Sequence, residues 1–192
     1  MTRIANIFFT LLFTAALTLC AANAQQNQTE SSKTAMSKTS AATTATDTKF
    51  LRAVGQADLA EIELGNLAQQ KATNPEVKQF AQRMVQDHTQ NRDQLKQLAE
   101  TQHVTVPDTV TAKDKATKTE LEKLSGAQFD KAYMNDMVKD HRTDVAKVAH
   151  ASKTAQNPEV KKFAEQTLPT LRSHLKEAEK IAPQGAAQSA SR

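Results

Sequence analysis

The sequence contains no tryptophan, one tyrosine (Tyr133), one cysteine (Cys20), four glycines and five prolines among 192 residues. Each scarcity excludes something. Without aromatic residues interleaved with basic clusters there is no stacking platform for nucleic acid. One cysteine rules out an internal disulfide framework and any Cys-based metal motif. So few glycines and prolines leave no room for the turn-rich pattern of sandwiches and barrels. No nucleophile elbow and no phosphate loop is present, which removes the common hydrolase and nucleotide-binding readings. The chain carries 25 Lys+Arg against 21 Asp+Glu, and the charges are mixed along its length as on a solvated helical surface.

What is present begins with a secretory signal over residues 1–24. Arg3 supplies a short positive start, residues 4–19 are mostly apolar, and Ala22-Asn23-Ala24 forms a cleavage site before Gln25. The apolar run is too short and wrongly flanked for a membrane span. Cleavage after Ala24 removes Cys20 and implies a periplasmic or secreted protein with no integral span. A lipoprotein anchored through Cys20 is disfavoured, since Leu19 stands where a small residue is expected. Residues 25–47 are rich in Gln, Ser, Thr, Ala and Lys, too poor in apolar surface to offset their ordering entropy, and read as a disordered tether. Residues 183–192 read the same way, as a tail.

Between these ends, 48–182, lie four long stretches of helical period and one internal repeat. Asn74-Pro75-Glu76-Val77-Lys78-Gln79-Phe80-Ala81 recurs as Asn157-Pro158-Glu159-Val160-Lys161-Lys162-Phe163-Ala164. Asn before Pro is an N-cap followed by the residue best suited to the first helical position, and the Glu that follows favours the helix dipole. Each repeat therefore starts a helix just after another ends. The expected fold is all-α, a four-helix bundle made of two helical hairpins, roughly 48–73 with 75–103 and 127–156 with 158–182. Residues 105–126 join the hairpins through Pro107 and a short helical piece near 112–124. That length serves either a connection at one end or a crossover along the bundle.

Placing residues at 100° intervals puts one ligand-capable side chain on the core stripe of each long helix. Glu61 follows Phe50, Val54 and Ala57 on the first. His88 lies among Val77, Ala81, Met84 and Leu95 on the second. His141 shares a face with Met134, Met137, Val145 and Val148, and His174 with Val160, Phe163, Leu171 and Ala178. At 1.5 Å per residue, all four fall ~20–25 Å from the nearest hairpin turn, near mid-bundle. His150 points away from the core and His103 lies near a helix end. Pro169, inside the fourth helix, is expected to kink it and to free the carbonyl of Glu165.

Three imidazoles and a carboxylate compose a plausible first shell for one divalent transition metal, Fe, Zn, Mn or Cu. Asp87, Asp130, Asp140 and Asp144 are the candidates to orient those ligands. The competing reading is a metal-free Glu/His network that fixes helix register, in a structural or interaction module of the cell envelope that meets a protein partner. Both readings describe a binding or structural protein rather than an enzyme. Met84, Met134 and Met137 read as core filler. Nothing in the sequence fixes the oligomeric state.

The runs 60–68 and 77–88, then Phe129-Asp130-Lys131-Ala132-Tyr133, His141, and Leu168-Pro169-Thr170-Leu171-Arg172-Ser173-His174, resemble the exported bacterial family "domain of unknown function 4142" from about Phe50 to Ile181. The resemblance implies membership of the ferritin-like superfamily, a four-helix fold and, by analogy, a metal site. The chain departs from the di-iron pattern of that superfamily, which needs Glu-x-x-His on two helices and a Glu on each of the others. Val85, Val138 and Leu171 stand three residues before the histidines, so a mononuclear site fits better than a di-iron one.

Overall fold

The computed structural model describes residues 42–182. The expected signal peptide, most of the expected tether and the tail at 183–192 lie outside the described residues. Those described are all-helical, with five helices and no strand among them. Four are long: α1 (Ala45–Lys71), α2 (Pro75–Thr101), α4 (Gly126–Thr154) and α5 (Pro158–Ile181). The fifth, α3 (Ala112–Glu122), is a short helix in the joining segment, beside the four long ones, where a helical piece was expected near 112–124.

Local chemistry sets the starts. Both Asn-Pro repeats cap as expected: Asn74 Oδ1 accepts from Glu76 N at 2.8 Å, and Asn157 Oδ1 from Glu159 N at 2.9 Å and Val160 N at 3.2 Å. α1 begins three residues before the expected boundary at 48. The reason is a capping box, in which Thr44 Oγ1 accepts from Asp47 N at 3.1 Å while Thr44 N donates to Asp47 at 3.2 Å. The last residues assigned to the tether therefore belong to the folded unit. Pro169 lies inside α5 without ending it.

Two carboxylates fix the directions of the helices. Asp47, at the start of α1, accepts from the backbone of Gln156 and Asn157 in the α4–α5 turn, at 3.3 and 3.2 Å. Asp130, early in α4, accepts from Thr73 N at 3.1 Å, Thr73 Oγ1 at 2.6 Å and Asn74 N at 3.0 Å in the α1–α2 turn. α1 and α4 are thus antiparallel. Asn157 Nδ2 donates to Gln102 at the end of α2, at 2.6 Å, which makes α2 and α5 antiparallel as well. α2 and α4 then run the same way, so residues 102–125 travel the length of the helices. The joining segment is a crossover, and α3 within it packs on α1 and α4.

α1 packs chiefly on α2 and α4 on α5; α2 with α5, and α1 with α4, complete the packing. Gly65 permits close approach of the first pair: a Cβ there would stand 2.8 Å from Val85 Cγ2 and 3.0 Å from the Ala81 carbonyl oxygen. The buried apolar residues form two separate clusters. One holds Leu64, Phe80, Met84, Phe129, Tyr133 and Met137; the other holds Leu51, Val54, Leu95, Val148, Val160 and Phe163. By sequence position, the buried polar residues Asp58, Glu61, His88, His141 and His174 fall between them on their helices.

Candidate metal centre

His88 on α2, His141 on α4 and His174 on α5 meet in that layer, each 3% exposed or less. Their ring centroids form a near-equilateral triangle with sides of 5.6, 5.4 and 5.4 Å. One ligand nitrogen from each lies within 4.8 Å of the other two.

Each ring has one nitrogen engaged and one without a partner. His88 Nδ1 is 2.9 Å from Asp58 Oδ1 of α1. His174 Nε2 is 2.8 Å from Asp87 Oδ2 of α2. His141 Nδ1 is 3.0 Å from the Met137 carbonyl oxygen, with Glu61 Oε1 of α1 at 3.9 Å. An acceptor at one nitrogen holds the proton there and leaves the other nitrogen as a lone pair. The lone-pair nitrogens are His88 Nε2, His141 Nε2 and His174 Nδ1, all buried and without a hydrogen-bond partner.

Electrostatics keep the rings of His141 and His174 neutral. Burial, then repulsion from His88 and His174, lowers the pKa of His141 to about 3. Burial and then His88 lower that of His174 to about 4, against the opposing pull of Asp87. Near neutral pH both rings are free bases, which is the form that binds a metal. Asp58 is raised by burial, partly offset by its hydrogen bond to His88. Glu61 is raised well above the ordinary glutamate range, first by burial and then by Asp144, Asp140, Asp136 and Asp58. Burial, with Glu61 adding to it, also pushes the Tyr133 phenol up.

Of the four residues expected as ligands, the three histidines converge and Glu61 does not join them within the same 4.8 Å. Its Oε1 stands 3.9 Å from His141 Nδ1, the nitrogen that the Met137 carbonyl engages. Of the four aspartates expected to orient ligands, Asp87 does so, for His174 rather than for its sequence neighbour His88. Asp130 is spent on the α1–α2 turn, eleven residues and ~16 Å of helix from His141. Asp140 pairs with Lys113 at 3.5 Å and Asp144 with Lys147 at 2.7 Å; both raise Glu61 through their charge, and Asp144 raises Asp58 as well. His150 and His103 are exposed.

Sequence reasoning missed Asp58. A signal existed: Leu51, Val54, Asp58, Glu61, Gly65 and Ala68 step by three and four along α1, all buried. Asn91 and Thr167 extend its network. Asn91 Nδ2 donates to both Asp58 oxygens, at 3.1 and 2.9 Å, and Thr167 Oγ1 donates to Asn91 Oδ1 at 2.8 Å. This chain borders a cavity of about 380 Å³ between α2 and α5, lined by Asp87, His88, Asn91 and Thr167 among others.

Among similar solved structures is a DUF305 fragment from Deinococcus radiodurans, 16% identical, with a TM-score of 0.65, covering 73% of this chain and 97% of that one. A DUF305 protein from Streptomyces coelicolor, described as secreted, is 17% identical, with a TM-score of 0.61 and coverage of 71% and 89%. CopM in its Cu(II)-bound form is 18% identical, with a TM-score of 0.60 and coverage of 70% and 93%. At these identities the likeness is one of fold. No curated protein sequence matches the chain. The sequence itself matches, over residues 31–181, the family described as Domain of unknown function (DUF4142), and the chain belongs to that family.

Proposed function

We propose that this protein is an exported, non-enzymatic metal-handling protein that holds one divalent transition-metal ion at His88, His141 and His174. One observation carries the reading: three buried imidazoles bring one ligand nitrogen each within 4.8 Å of the others, and each ring keeps one nitrogen without a partner. A buried nitrogen without a partner costs about 1–3 kcal/mol, so three together are an expensive arrangement for a purely structural layer. Asp58 and Asp87 behind two of the rings, and the Met137 carbonyl behind the third, are the kinds of group that fix imidazole tautomers in metal sites. Three imidazoles would leave a coordination position open, and imidazole suits Cu, Zn and Fe. CopM, a structure of like fold, is a Cu(II)-bound protein. Glu61 belongs on the outer side of His141 in this reading, and the site is mononuclear.

The four long helices constitute a ferritin-like bundle of two hairpins, with α3 riding on the crossover. Export fits the secretory pattern of residues 1–24 and the secreted DUF305 protein of like fold. No helix among the described residues is long and apolar enough to cross a membrane. Elemental analysis of the protein without a histidine tag tests the proposal. One ion per chain is expected, falling below a tenth of that in His88→Ala. A wild-type chain that takes up neither copper nor zinc, and whose unfolding is indifferent to chelator, would leave the metal-free network as the correct reading.

A further inference from the structure

Two cavities reach the polar layer. The one between α2 and α5 is lined mainly by amides and hydroxyls. The other, of about 240 Å³, opens along the seam of α1 and α4, where the first turn of α3 leans over it. Its charged lining is Glu61, Asp114, Asp140 and Asp144 with Lys113 and Lys147.

These charges are graded by depth. The Lys113 side chain is 65% exposed and that of Lys147 36%, whereas those of Asp140, Asp144 and Glu61 are 24%, 15% and 4% exposed. Cationic groups stand at the rim and carboxylates lead inward. Glu61 is the floor: its Oε2 is buried with no hydrogen-bond partner, and its Oε1 is 3.9 Å from His141 Nδ1. Such an oxygen, facing several other carboxylates, is stabilised most by a cation. The carboxylates do not themselves make a coordination sphere, because among the described residues only the three histidines bring donor atoms together within 4.8 Å.

We infer that the α1–α4 cavity is the port through which a hydrated divalent cation reaches the histidine centre, drawn in by Asp140 and Asp144 and passed by Glu61 to the layer beside His141. Lys113 and Lys147 are the counterions it displaces. The inference rests on the histidines holding a metal and names how that site is loaded.

Loading of the full chain with Co(II), followed by stopped-flow absorption at low ionic strength beside an equilibrium titration, tests it. Asp140→Asn and Asp144→Asn should each slow association roughly three- to tenfold, more than they weaken equilibrium binding. Lys113→Ala should speed association, a change of opposite sign that general damage to the fold does not produce. Thr170→Lys, at the α2–α5 opening, should load at the wild-type rate. Unchanged rates in both aspartate variants, or slowed loading in Thr170→Lys, would overturn the port. A wild-type chain that binds no Co(II), Cu(II) or Zn(II) removes the histidine centre itself, and the port with it.

Discussion

Asp58 and Asp130 are both buried aspartates one helix away from a group they serve, yet they do different work. Asp58 holds His88 Nδ1 and is itself held by Asn91; Asp130 satisfies the α1–α2 turn. Asp58→Asn should therefore weaken metal binding about ten- to hundredfold. Asp130→Asn should leave it unchanged and cost about 1–3 kcal/mol in urea unfolding. Paired titration and denaturation of the two variants separates the roles. Asp136 bears on pH: burial, then Asp140, raises it to about 6 from 3.8, and its Oδ2 has no partner. The native state thus binds the proton more tightly than the unfolded chain between pH 3.8 and 6, and stability is lost as pH rises through that window. Asp136→Asn should be more stable than wild type above pH 6, with the gain fading towards pH 4, in urea titrations across that range. The histidines were legible in the sequence because a polar residue on an apolar stripe declares itself. Asp58 lay on such a stripe too, but periodicity orients a residue about its own axis and not toward a neighbouring helix. Only the crossing of α1 over α2 brings it to His88, and the same geometry sets Glu61 Oε1 3.9 Å from His141 Nδ1.

At the level of elements, the two Asn-Pro repeats are equal in sequence and unequal in setting. Asn74 is exposed and caps through Glu76 N alone, whereas Asn157 is fully buried and also donates to Gln102 Oε1 and Thr43 Oγ1. Loss of a cap costs about 1 kcal/mol, and removing the further hydrogen bonds from Asn157 to Gln102 and Thr43 adds about as much again. Asn157→Ala should then destabilise by about 2 kcal/mol and Asn74→Ala by about half that, compared in chemical denaturation at one pH. The starts of α2 and α5 were readable because capping and Pro chemistry are local. The start of α1 at Ala45 was hidden by a polar composition that resembles a tether, although Thr44-x-x-Asp47 is a capping pattern. Whether 105–126 turned back or crossed over depends on the cross-chain contacts of Asp47 and Asp130, which no local pattern contains.

Across the whole molecule the polar layer divides the apolar core in two, and its three histidines come from both sides of the crossover: His88 from α2, His141 and His174 from α4 and α5. A bound ion would join halves that otherwise meet through the thinner α2–α5 and α1–α4 packing, so its binding free energy appears as stability of the entire fold. At a free metal concentration a thousand times Kd that linkage amounts to about 4 kcal/mol, which for a domain of this size raises Tm by on the order of 10 °C. Scanning calorimetry with and without metal should show the rise in wild type and its loss in His141→Ala and in His174→Ala. A rise that survives both substitutions would place the ion elsewhere. Replacing all three histidines by leucine, together with the buried Asp58 that would otherwise lose the His88 ring, is the complementary measurement. It removes three unpartnered nitrogens from the interior, so the variant should gain stability in the absence of metal and lose all response to it. A metal-free network that secured the helices would instead be weakened by the same change, and the sign of that one difference decides what the layer is for.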